Sequence, residues 1–465
     1  MEIKFGTDGW RAIIGKDFTT KNVARVSLAV AEFLDKKQSK VVLGYDCRFG
    51  GKLFAETAAK VFALNGVKVF LSSEFVSTPM VSLGVVNYKA DLGVVITASH
   101  NPPSYNGYKL KGNFGGPLLE DDVLDVQNRI PKEHNLDIEK VGIDELINQE
   151  MIEYIDLESQ YYHHVQNNFD LDLIKSSSLN LAYDPMFGAG INIMSRIFPD
   201  IVQIHNDLNP GFNGISPEPI HKNLLEFSDL IKSRQDIDVG LATDGDADRL
   251  GIYNQKGEFI DSHHLILLLI HYLVKYKKKR GKVVTAFSCT VKINKMCNHY
   301  NLDHEVVKIG FKHIAGRMVS EDIMLGGEES GGIAIKEHIP ERDGIWMGLI
   351  LFEFMASSGK TLDELINEVY DIVGRFSCQR LDLHIDDSLK TNIIKNCQEN
   401  KYTSFGDYQI IQTKKTDGFK YFFDENTWVM IRPSGTEPVL RIYSEAETYQ
   451  EAIKILDQVE KTLKS

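Results

Sequence analysis

Short apolar runs alternate with amphipathic stretches along the first part of the chain. Residues 41–45 and 67–71 are apolar runs with the length of buried strands, and residues 53–64 between them predict a helix that Gly66 ends. A strand, a helix and a second strand in this order predict a βαβ unit, in which the strands are parallel and the crossover is right-handed. Valines at helical spacing in residues 23–30 predict an earlier helix.

The same alternation returns twice further along the chain. An apolar run at 179–183 leads into a glycine-rich turn and the apolar segment 191–198, and another run at 282–287 precedes a predicted helix at 291–300. This pattern predicts three similar α/β domains, although no literal sequence repeat is present. Residues 265–274 form the longest apolar run, which is too short to span a bilayer and predicts a buried helix.

The last part of the chain has a different pattern. Its apolar runs predict four strands and one closing helix, at residues 381–385, 421–423, 427–431, 440–443 and 449–463. Consecutive strands of this kind favour a mostly antiparallel sheet. We therefore predict a smaller α+β domain at this end.

Breaks in the pattern divide the chain into four predicted domains. A weakly periodic acidic stretch at 138–166 marks the first boundary, and turns near Gly257 and Gly374 mark the other two. The predicted domains comprise residues 1–155, 156–256, 257–374 and 375–465. A chain of 465 residues has room for about three or four domains of ordinary size.

Composition and charge argue against several classes of protein. The net charge of −13 and the lack of a basic block argue against a nucleic-acid or membrane partner, so an anionic substrate needs a local cationic pocket. The five cysteines are widely spaced without a CxxC pair, which is typical of reduced thiols rather than of a disulfide framework or a zinc site. The chain starts without a signal-peptide pattern, and we expect a cytoplasmic protein.

A polar loop follows the apolar run 92–96. Its sequence, TASHNP at 97–102, places Ser99 and His100 at the carboxyl end of a predicted buried strand, where open α/β sheets form their ligand-binding crevices. The loop alone also fits an ordinary serine and asparagine turn without a function. Three further polar loops, each suited to one part of a phosphoryl-transfer reaction, favour the functional interpretation.

The second loop carries three acids at alternate positions. Asp244, Asp246 and Asp248 precede Arg249 between two apolar runs, and carboxylates this close repel one another unless a cation lies among them. A calcium EF-hand would need glycine where Arg249 stands and would lie between helices, whereas these flanks predict strands. Mg²⁺ is the better match because it takes few carboxylates and binds phosphate oxygens. A solvated acidic turn is the alternative.

The third loop is rich in glycines and acids. In the sequence GGEESGG, at 326–332, Glu328 and Ser330 can hydrogen-bond sugar hydroxyls, while the glycines allow a close backbone approach. Plain surface turns have the same composition. His338, a few residues later, is a candidate acid/base or phosphate contact, although a single histidine beside a proline turn is more often structural.

The fourth loop combines arginine with hydroxyl and glycine residues in the sequence RPSGTEP, at 432–438. Guanidinium forks, hydroxyls and free backbone amides together suit a phosphate-binding nest. The groups that would provide them belong to Arg432, Ser434, Gly435, Thr436 and Arg441. A plain hairpin needs none of this chemistry.

With these four loops in this order, the chain resembles the α-D-phosphohexomutase superfamily, which contains phosphoglucomutase and phosphomannomutase, and it is most similar to a bacterial phosphoglucomutase. The resemblance extends from Gly6 to Ala446. It implies an α/β fold of three related α/β domains with mixed sheets, plus a smaller C-terminal α+β domain, around a central active-site cleft. The phosphoserine, metal-binding, sugar-binding and phosphate-binding loops then belong to domains I to IV in turn.

The resemblance also implies roles for individual residues. Ser99 would be the phosphorylated serine and would bind Mg²⁺ together with Asp244, Asp246 and Asp248. The implied catalytic set is Ser99, Lys109, His100, Arg249 and His338. The implied substrate-binding set is Thr7, Arg11, Lys308, Glu328, Ser330, Arg432, Ser434, Gly435, Thr436 and Arg441. Lys109 is the leading acid/base candidate and would need a lowered pKa or a proton relay to act as a base.

The implied reaction is the reversible interconversion of a hexose 1-phosphate and a hexose 6-phosphate, through a phosphoserine enzyme and a bound 1,6-bisphosphate. One Mg²⁺ per chain, glucose 1,6-bisphosphate as activator, a small phosphosugar substrate and a monomeric or homodimeric state are the corresponding expectations. The sugar loop departs from the phosphomannomutase branch, because Gly332 stands where that branch has histidine, and this departure favours glucose phosphates.

Several alternatives remain open at this stage. Phosphomannomutase or phosphoglucosamine mutase activity is the nearest, because a change of epimer or 2-substituent alters few contacts. A phosphatase with an aspartate nucleophile would keep its activity without Ser99 and lose it without Asp244 or Asp246. A non-catalytic phosphosugar-binding protein is the remote alternative, and it would be expected to have lost Ser99 or one of the aspartates.

Overall fold

The computed structural model describes residues 2–34, 38–433 and 439–464. Two compact units account for these residues: Met1–Ser262 with Gly310–Glu364, and His263–Ile309 with Leu365–Ser465. No helix in the described ranges is both long enough and apolar enough to cross a membrane.

A mixed six-stranded sheet forms the N-terminal part of the first unit. Its elements are β1 (Trp10–Ile13), α1 (Thr20–Leu34), β2 (Lys40–Tyr45), α2 (Gly51–Leu64), β3 (Lys68–Ser72), α3 (Thr78–Asn87), β4 (Leu92–Ile96), β5 (Tyr105–Gly112), α4 (Glu120–Asn128), α5 (Ile143–Asn148) and β6 (Ile152–Ile155). The strand order is β1-β5-β4-β2-β3-β6, in which β4, β2, β3 and β6 are parallel and β1 and β5 are antiparallel to their neighbours. The predicted βαβ unit is β2-α2-β3, and apolar residues of α1 and α2 pack on its strands.

A second mixed sheet of five strands follows in the same unit. Its elements are α6 (Leu157–Asn168), α7 (Leu171–Ser176), β7 (Leu181–Asp184), α8 (Ile191–Ile197), β8 (Val202–Gln203), α9 (Leu225–Arg234), β9 (Val239–Thr243), β10 (Leu250–Asn254) and β11 (Phe259–Ile260). The order is β11-β10-β9-β7-β8. Residues 244–249 form the turn of an antiparallel hairpin between β9 and β10, so strands flank the acidic loop, as its apolar neighbours predict.

The next part of the chain contributes elements to both units. They are α10 (Ser262–His271), β12 (Lys282–Ala286), α11 (Lys292–Tyr300), β13 (His304–Val307), α12 (Phe311–Ser320), β14 (Ile323–Gly327), β15 (Ile333–Ile335), α13 (Gly344–Ser358) and α14 (Leu362–Val373). In the second unit β12 pairs in parallel with β13, and in the first unit β14 pairs antiparallel with β15. Helix α10 is almost wholly buried, as its long apolar run predicts.

The C-terminal part is an α+β domain with an antiparallel sheet, as predicted. Its elements are β16 (Ser377–His384), α15 (Asp387–Gln398), β17 (Ser404–Phe405), β18 (Tyr408–Gln409), β19 (Gln412–Lys414), β20 (Phe419–Phe422), β21 (Trp428–Pro433), β22 (Val439–Ala446) and α16 (Tyr449–Lys464). The sheet order is β16-β22-β21-β20-β19. Helix α15 was not predicted, because it buries only Ile393 and Cys397 and has little apolar periodicity. The predicted fold class, three α/β domains and a smaller α+β domain, is confirmed.

Candidate active site

Ser99 and Asp244 lie side by side in the first unit. Ser99 comes shortly after the buried strand β4, its side chain is fully buried, and its φ of 52° is a left-handed conformation that L residues rarely adopt. Its Oγ donates a hydrogen bond to Asp244 Oδ2 over 2.7 Å, and its backbone N–H donates to Thr97 Oγ1 over 2.9 Å. The serine loop and the acidic loop are therefore in direct contact. A strained backbone that its surroundings hold in place is typical of functional sites.

Asp244, Asp246 and Asp248 form a buried cluster at the β9-β10 turn. One carboxylate oxygen of each lies within 4.8 Å of the other two, and all three residues are fully buried. Asp244 Oδ1 accepts hydrogen bonds from the backbone N–H groups of Asp248, at 2.9 Å, and of Arg249, at 3.1 Å. These bonds fold the turn so that two of its backbone N–H groups point at the carboxylate of Asp244.

Two buried oxygens of the acid cluster accept no hydrogen bond from the described residues. Within the described ranges, neither Asp246 Oδ1 nor Asp248 Oδ1 has a hydrogen-bond partner, although both atoms are buried. Burial, together with the charges of Asp246 and Asp248, raises the pKa of Asp244 well above its ordinary value. Buried carboxylates that repel one another and have oxygens to spare are suitable ligands for a hard divalent cation. The residues present therefore fit Mg²⁺.

Lys109 reaches the acid cluster from β5. Its Nζ lies 2.7 Å from Asp246 Oδ2, 2.9 Å from Asp248 Oδ2 and 2.9 Å from Asp8 Oδ2, and its side chain is buried. Burial alone would lower the pKa of Lys109, but the three carboxylates outweigh burial and hold the pKa above its ordinary value. The lowered pKa that a base needs is thus not found here, and Lys109 is a charged donor.

Asp8 and Arg342 complete this charge network, and neither was predicted as a site residue. The buried guanidinium of Arg342 places Nη2 2.6 Å from Asp8 Oδ2 and 2.6 Å from Asp248 Oδ2. Because Lys109 contacts the same two oxygens, two cations and two carboxylates alternate in a closed ring. Asp8 lies in a polar turn, which is a weak sequence signal for a functional residue. Arg342 is a single arginine in an acidic segment, and no motif spacing distinguishes it.

His100 and Arg11 flank the serine. His100 Nδ1 lies 3.2 Å from Ser99 Oγ, and Arg11 donates from Nη1 to Asn101 Oδ1 over 2.8 Å. Burial and the positive charges of Arg249 and Arg11 lower the pKa of His100 well below its ordinary value. The imidazole beside Ser99 is therefore uncharged.

The glycine-rich loop at 326–332 touches the β9-β10 hairpin that carries the acidic loop. Gly331 O accepts a hydrogen bond from the Leu250 N–H over 3.3 Å, and a Cβ on Gly331 would come within 2.6 Å of Leu250 O. Glu328 is buried, its Oε1 accepts a hydrogen bond from the Gly310 N–H over 2.8 Å, and burial raises its pKa to about 7. Three of the four polar loops are thus connected within one unit.

Comparison with known families identifies this arrangement. Four family models match the chain in order: phosphoglucomutase/phosphomannomutase alpha/beta/alpha domains I, II and III at residues 2–137, 159–257 and 261–373, and the C-terminal domain at residues 396–462. The chain is also 30% identical over 469 residues to the phosphoglucosamine mutase of Methanocaldococcus jannaschii, a match that covers 99% of this chain and 98% of that protein. The chain belongs to the phosphoglucomutase/phosphomannomutase family.

Two further proteins are similar to this chain over nearly their whole length. The phosphoglucomutase/phosphomannomutase of Thermococcus kodakarensis is 27% identical over 462 residues, which is 97% of this chain and 96% of that protein. The crystal structure of a proposed phosphomannomutase from Thermus thermophilus has a TM-score of 0.87 and 30% identity, with complete coverage of both chains. Family members are mutases, which are intramolecular phosphotransferases of the isomerase class, and this protein is accordingly an enzyme.

Eight of the residues implied by the family resemblance form one contact network in the first unit. The members of the contact network are Arg11, Ser99, His100, Lys109, Asp244, Asp246, Asp248 and Arg249. Thr7 lies beside the residues that hold Glu328, because a Cβ on Gly310 would come within 2.8 Å of Thr7 Cγ2. Ser330 is half-buried in the glycine-rich loop.

Lys308, Arg432 and Arg441 belong to the second unit. Arg432 Nε lies 3.4 Å from Asp417 Oδ1, and Asp417 Oδ2 accepts a hydrogen bond from the Ile309 N–H over 2.9 Å. Asp417 therefore holds Arg432 near the segment that contains Lys308, while Arg441 stands opposite Arg432 across β21 and β22. The predicted phosphate contacts Ser434, Gly435 and Thr436 lie outside the described residues.

His338 is surrounded by aromatic and acidic side chains of the first unit. Its side chain has no exposed surface, Nε2 lies 2.9 Å from Asp343 Oδ2, and Nδ1 lies 3.2 Å from His164 Nε2. Its ring stacks on Trp346 with the centroids 3.8 Å apart. Both ring nitrogens therefore have partners, and the ring is enclosed by neighbouring side chains. The acid/base or phosphate-contact role of His338 stays a prediction.

Thr78 also contacts the acid cluster and was not predicted. Its Oγ1 donates to Asp246 Oδ2 over 2.5 Å, and its backbone N–H donates to Asp246 O over 3.0 Å. Thr78 is the first residue of α3, so the amino-terminal end of that helix dipole faces this carboxylate. The two residues are far apart in sequence, and no local pattern connects them.

Proposed function

We propose that this family member interconverts a hexose 1-phosphate and a hexose 6-phosphate through phosphorylated Ser99 and a bound 1,6-bisphosphate. The observation that carries the proposal is the 2.7 Å contact between Ser99 Oγ and Asp244 Oδ2 within a buried acid cluster. Phosphoryl transfer needs positioning and charge neutralisation more than covalent chemistry from the protein. A serine hydroxyl, three metal-ligating acids and the cations Lys109 and Arg342 supply these in one network.

The proposed reaction consists of two phosphoryl transfers. In the first, the bond between phosphorus and Ser99 Oγ breaks, a bond forms to the free sugar hydroxyl, and one proton passes from that hydroxyl to Oγ. In the second, the other phosphate of the bisphosphate moves to Ser99 Oγ, and the proton returns to the sugar oxygen. His100 Nδ1, 3.2 Å from Oγ, is within hydrogen-bond reach of the oxygen that gains and loses this proton, and the lowered pKa keeps the ring uncharged there.

The acids and Lys109 have separate roles in this proposal. Asp244, Asp246 and Asp248 would hold Mg²⁺ together with an oxygen on Ser99. When bound, the ion offsets the negative charge of the phosphoryl group. Lys109 stays protonated because three carboxylates surround it, and it therefore adds positive charge and a hydrogen-bond donor instead of acting as a base.

The preferred sugar is proposed from two observations. Gly332, in place of the loop histidine, favours glucose phosphates, with glucose 1,6-bisphosphate as the activator. The 30% identity to a phosphoglucosamine mutase favours glucosamine phosphates as the second candidate. The measurement that separates them is kcat/KM on the 1-phosphates of glucose, glucosamine and mannose, each primed with its own bisphosphate.

The phosphoserine step is tested by intact-protein mass and peptide mapping. We expect the bisphosphate to add one phosphate at Ser99 and glucose 6-phosphate to remove it. Ser99→Ala should lower kcat roughly 10⁴-fold or more, whereas Ser104→Ala, an exposed serine in the same loop, should keep normal activity. If Ser99→Ala retains turnover while Asp244→Ala does not, the protein is a phosphatase with an aspartate nucleophile and the proposal fails.

A further inference from the structure

Arg48 lies beneath the phosphoserine loop and binds it along its length. Arg48 follows β2, is almost fully buried, and its side chain donates hydrogen bonds to backbone carbonyls of this loop and of the first residue of β5. The four acceptors, at 2.5 to 3.1 Å, are the carbonyl oxygens of Ser99, Asn101, Pro102 and Tyr105. One guanidinium group therefore determines the position of four peptide units around the reacting serine.

Asp46 and Phe212 hold the guanidinium itself in place. Asp46 Oδ2 lies 3.3 Å from Arg48 Nε and also accepts a hydrogen bond from Thr97 Oγ1, and Asp46 Oδ1 accepts from the Arg48 N–H over 3.0 Å. The ring of Phe212 covers the guanidinium, with 4.9 Å from Cζ to the ring centroid. A rigid planar fork with several donors can satisfy four carbonyls at once, whereas a lysine ammonium in the same space cannot.

The direction of the Ser99 carbonyl has a consequence for the phosphoryl group. In a trans peptide the C=O and the following N–H point in opposite directions, so the His100 N–H points away from Arg48. This N–H has no acceptor in the described part of the chain. On the other side, Gly245 approaches the same carbonyl so closely that a Cβ there would lie 2.6 Å from Ser99 O, so a larger residue would not fit at this position.

We propose that Arg48 is a positioning residue for phosphoryl transfer, which holds Ser99 in its left-handed conformation and aims the His100 N–H at the phosphoryl group on Ser99. The inference rests on the proposed function, since it requires Ser99 to carry the phosphoryl group. Arg48 acts through the backbone, because in the described part of the chain its guanidinium contacts main-chain carbonyls, Asp46 and Phe212 and forms no hydrogen bond with the three acids. Its loss should therefore reduce kcat and leave sugar binding by the Glu328 loop unchanged.

The test compares Arg48→Lys with a matched control, Arg25→Lys. Arg25 is also a buried arginine of the first unit, and its Nε donates to the carbonyl of Pro131 over 2.7 Å, outside the contact network around Ser99. We expect Arg48→Lys to lower kcat and the rate of Ser99 phosphorylation by bisphosphate about 10²-fold, because a small misplacement of a reacting group has effects of this order. The KM for the sugar phosphate should stay within about threefold. Arg25→Lys should retain kcat within the same threefold range even where its Tm falls.

A second variant separates positioning from general stability. In Arg48→Ala, added guanidinium chloride at low concentration should restore part of kcat, and methylammonium chloride should not. The inference is overturned if Arg48→Lys keeps normal kcat, if its loss of kcat is matched by Arg25→Lys at equal loss of Tm, or if only KM changes. The proposed function is tested separately. If Ser99 of the wild type accepts no phosphate and Ser99→Ala is active, both the proposed function and the positioning role of Arg48 fail. If the wild type is phosphorylated and Arg48→Lys has normal kcat, only the positioning role is overturned.

Discussion

A side chain at Gly332 should displace Arg342 from the acids that it holds. A Cβ on Gly332 would lie 2.4 Å from Arg342 Cδ and 3.0 Å from its Cγ, which is closer than carbon atoms normally approach. Arg342 cannot simply swing aside, because Nη2 is held 2.6 Å from both Asp8 Oδ2 and Asp248 Oδ2. Gly332→Ala must therefore strain the loop or lengthen these ion pairs, and Gly332→His, which restores the residue of the phosphomannomutase branch, must do so more strongly.

The size of the effect follows from the kind of contact. The φ of Gly332 lies outside the left-handed range, so alanine suits its backbone and the effect is steric. Overpacking a buried site costs about 1–3 kcal/mol, and leaving buried charges without a partner costs about 3–5 kcal/mol. We expect the free energy of unfolding to fall by about 2 kcal/mol in Gly332→Ala and by at least about 3 kcal/mol in Gly332→His. Turnover should fall as well, because Asp248 is a proposed metal ligand.

The assay is equilibrium urea unfolding together with kcat/KM, arranged as a double-mutant cycle. Gly142→Ala is the control, since a Cβ there meets no atom within 4 Å, and it should change the free energy of unfolding by less than about 0.5 kcal/mol. In an Arg342→Ala background the obstructing side chain is gone, so Gly332→Ala should cost less than about 0.5 kcal/mol. An equal cost of Gly332→Ala in both backgrounds would refute the steric explanation.

Three other outcomes are expected. Treatment with EDTA should abolish turnover, and Mg²⁺ should restore it and stabilise the fold by about 2.7 kcal/mol at a concentration of 100 Kd; turnover that survives chelation contradicts the metal assignment. Lys109→Met removes the ammonium group that contacts Asp246 and Asp248, so the Tm of this variant without Mg²⁺ should be below that of the wild type. Its Tm should then rise more steeply with Mg²⁺ concentration than the Tm of the wild type, and an equal dependence on Mg²⁺ would contradict this account. The hydrogen bond to Asp184 raises the pKa of His205 from 6.5 to about 9, so the folded state favours the charged ring. The resulting stabilisation of the folded state is complete below pH 6.5 and is lost as the pH rises through 9. Urea unfolding should therefore show a smaller loss of stability over this pH range in His205→Gln than in the wild type, and superimposable pH profiles would argue against the contact.

The amino-acid sequence by itself determined the architecture and the nature of the loops. The apolar run at 92–96 is the strand Leu92–Ile96, and the apolar flanks of the acidic loop are the strands β9 and β10, which excludes an EF-hand. The antiparallel C-terminal sheet was predictable from its short apolar runs, whereas helix α15 within this domain was not. These features are predictable because strand length, burial and turn chemistry depend on residues that are adjacent in the chain.

Only the tertiary structure decided which charged groups share a site and in which state. Asp8, Arg342 and Arg48 act on Ser99 or the acid cluster from distant parts of the chain, and no spacing connects them to it. The charge of Lys109 could not be predicted from the sequence, because its pKa depends on three carboxylates that the fold places beside it. The contacts that enclose His338 likewise form only in the folded chain. Electrostatic interactions depend on distance through space and on burial, and the linear order of residues contains neither.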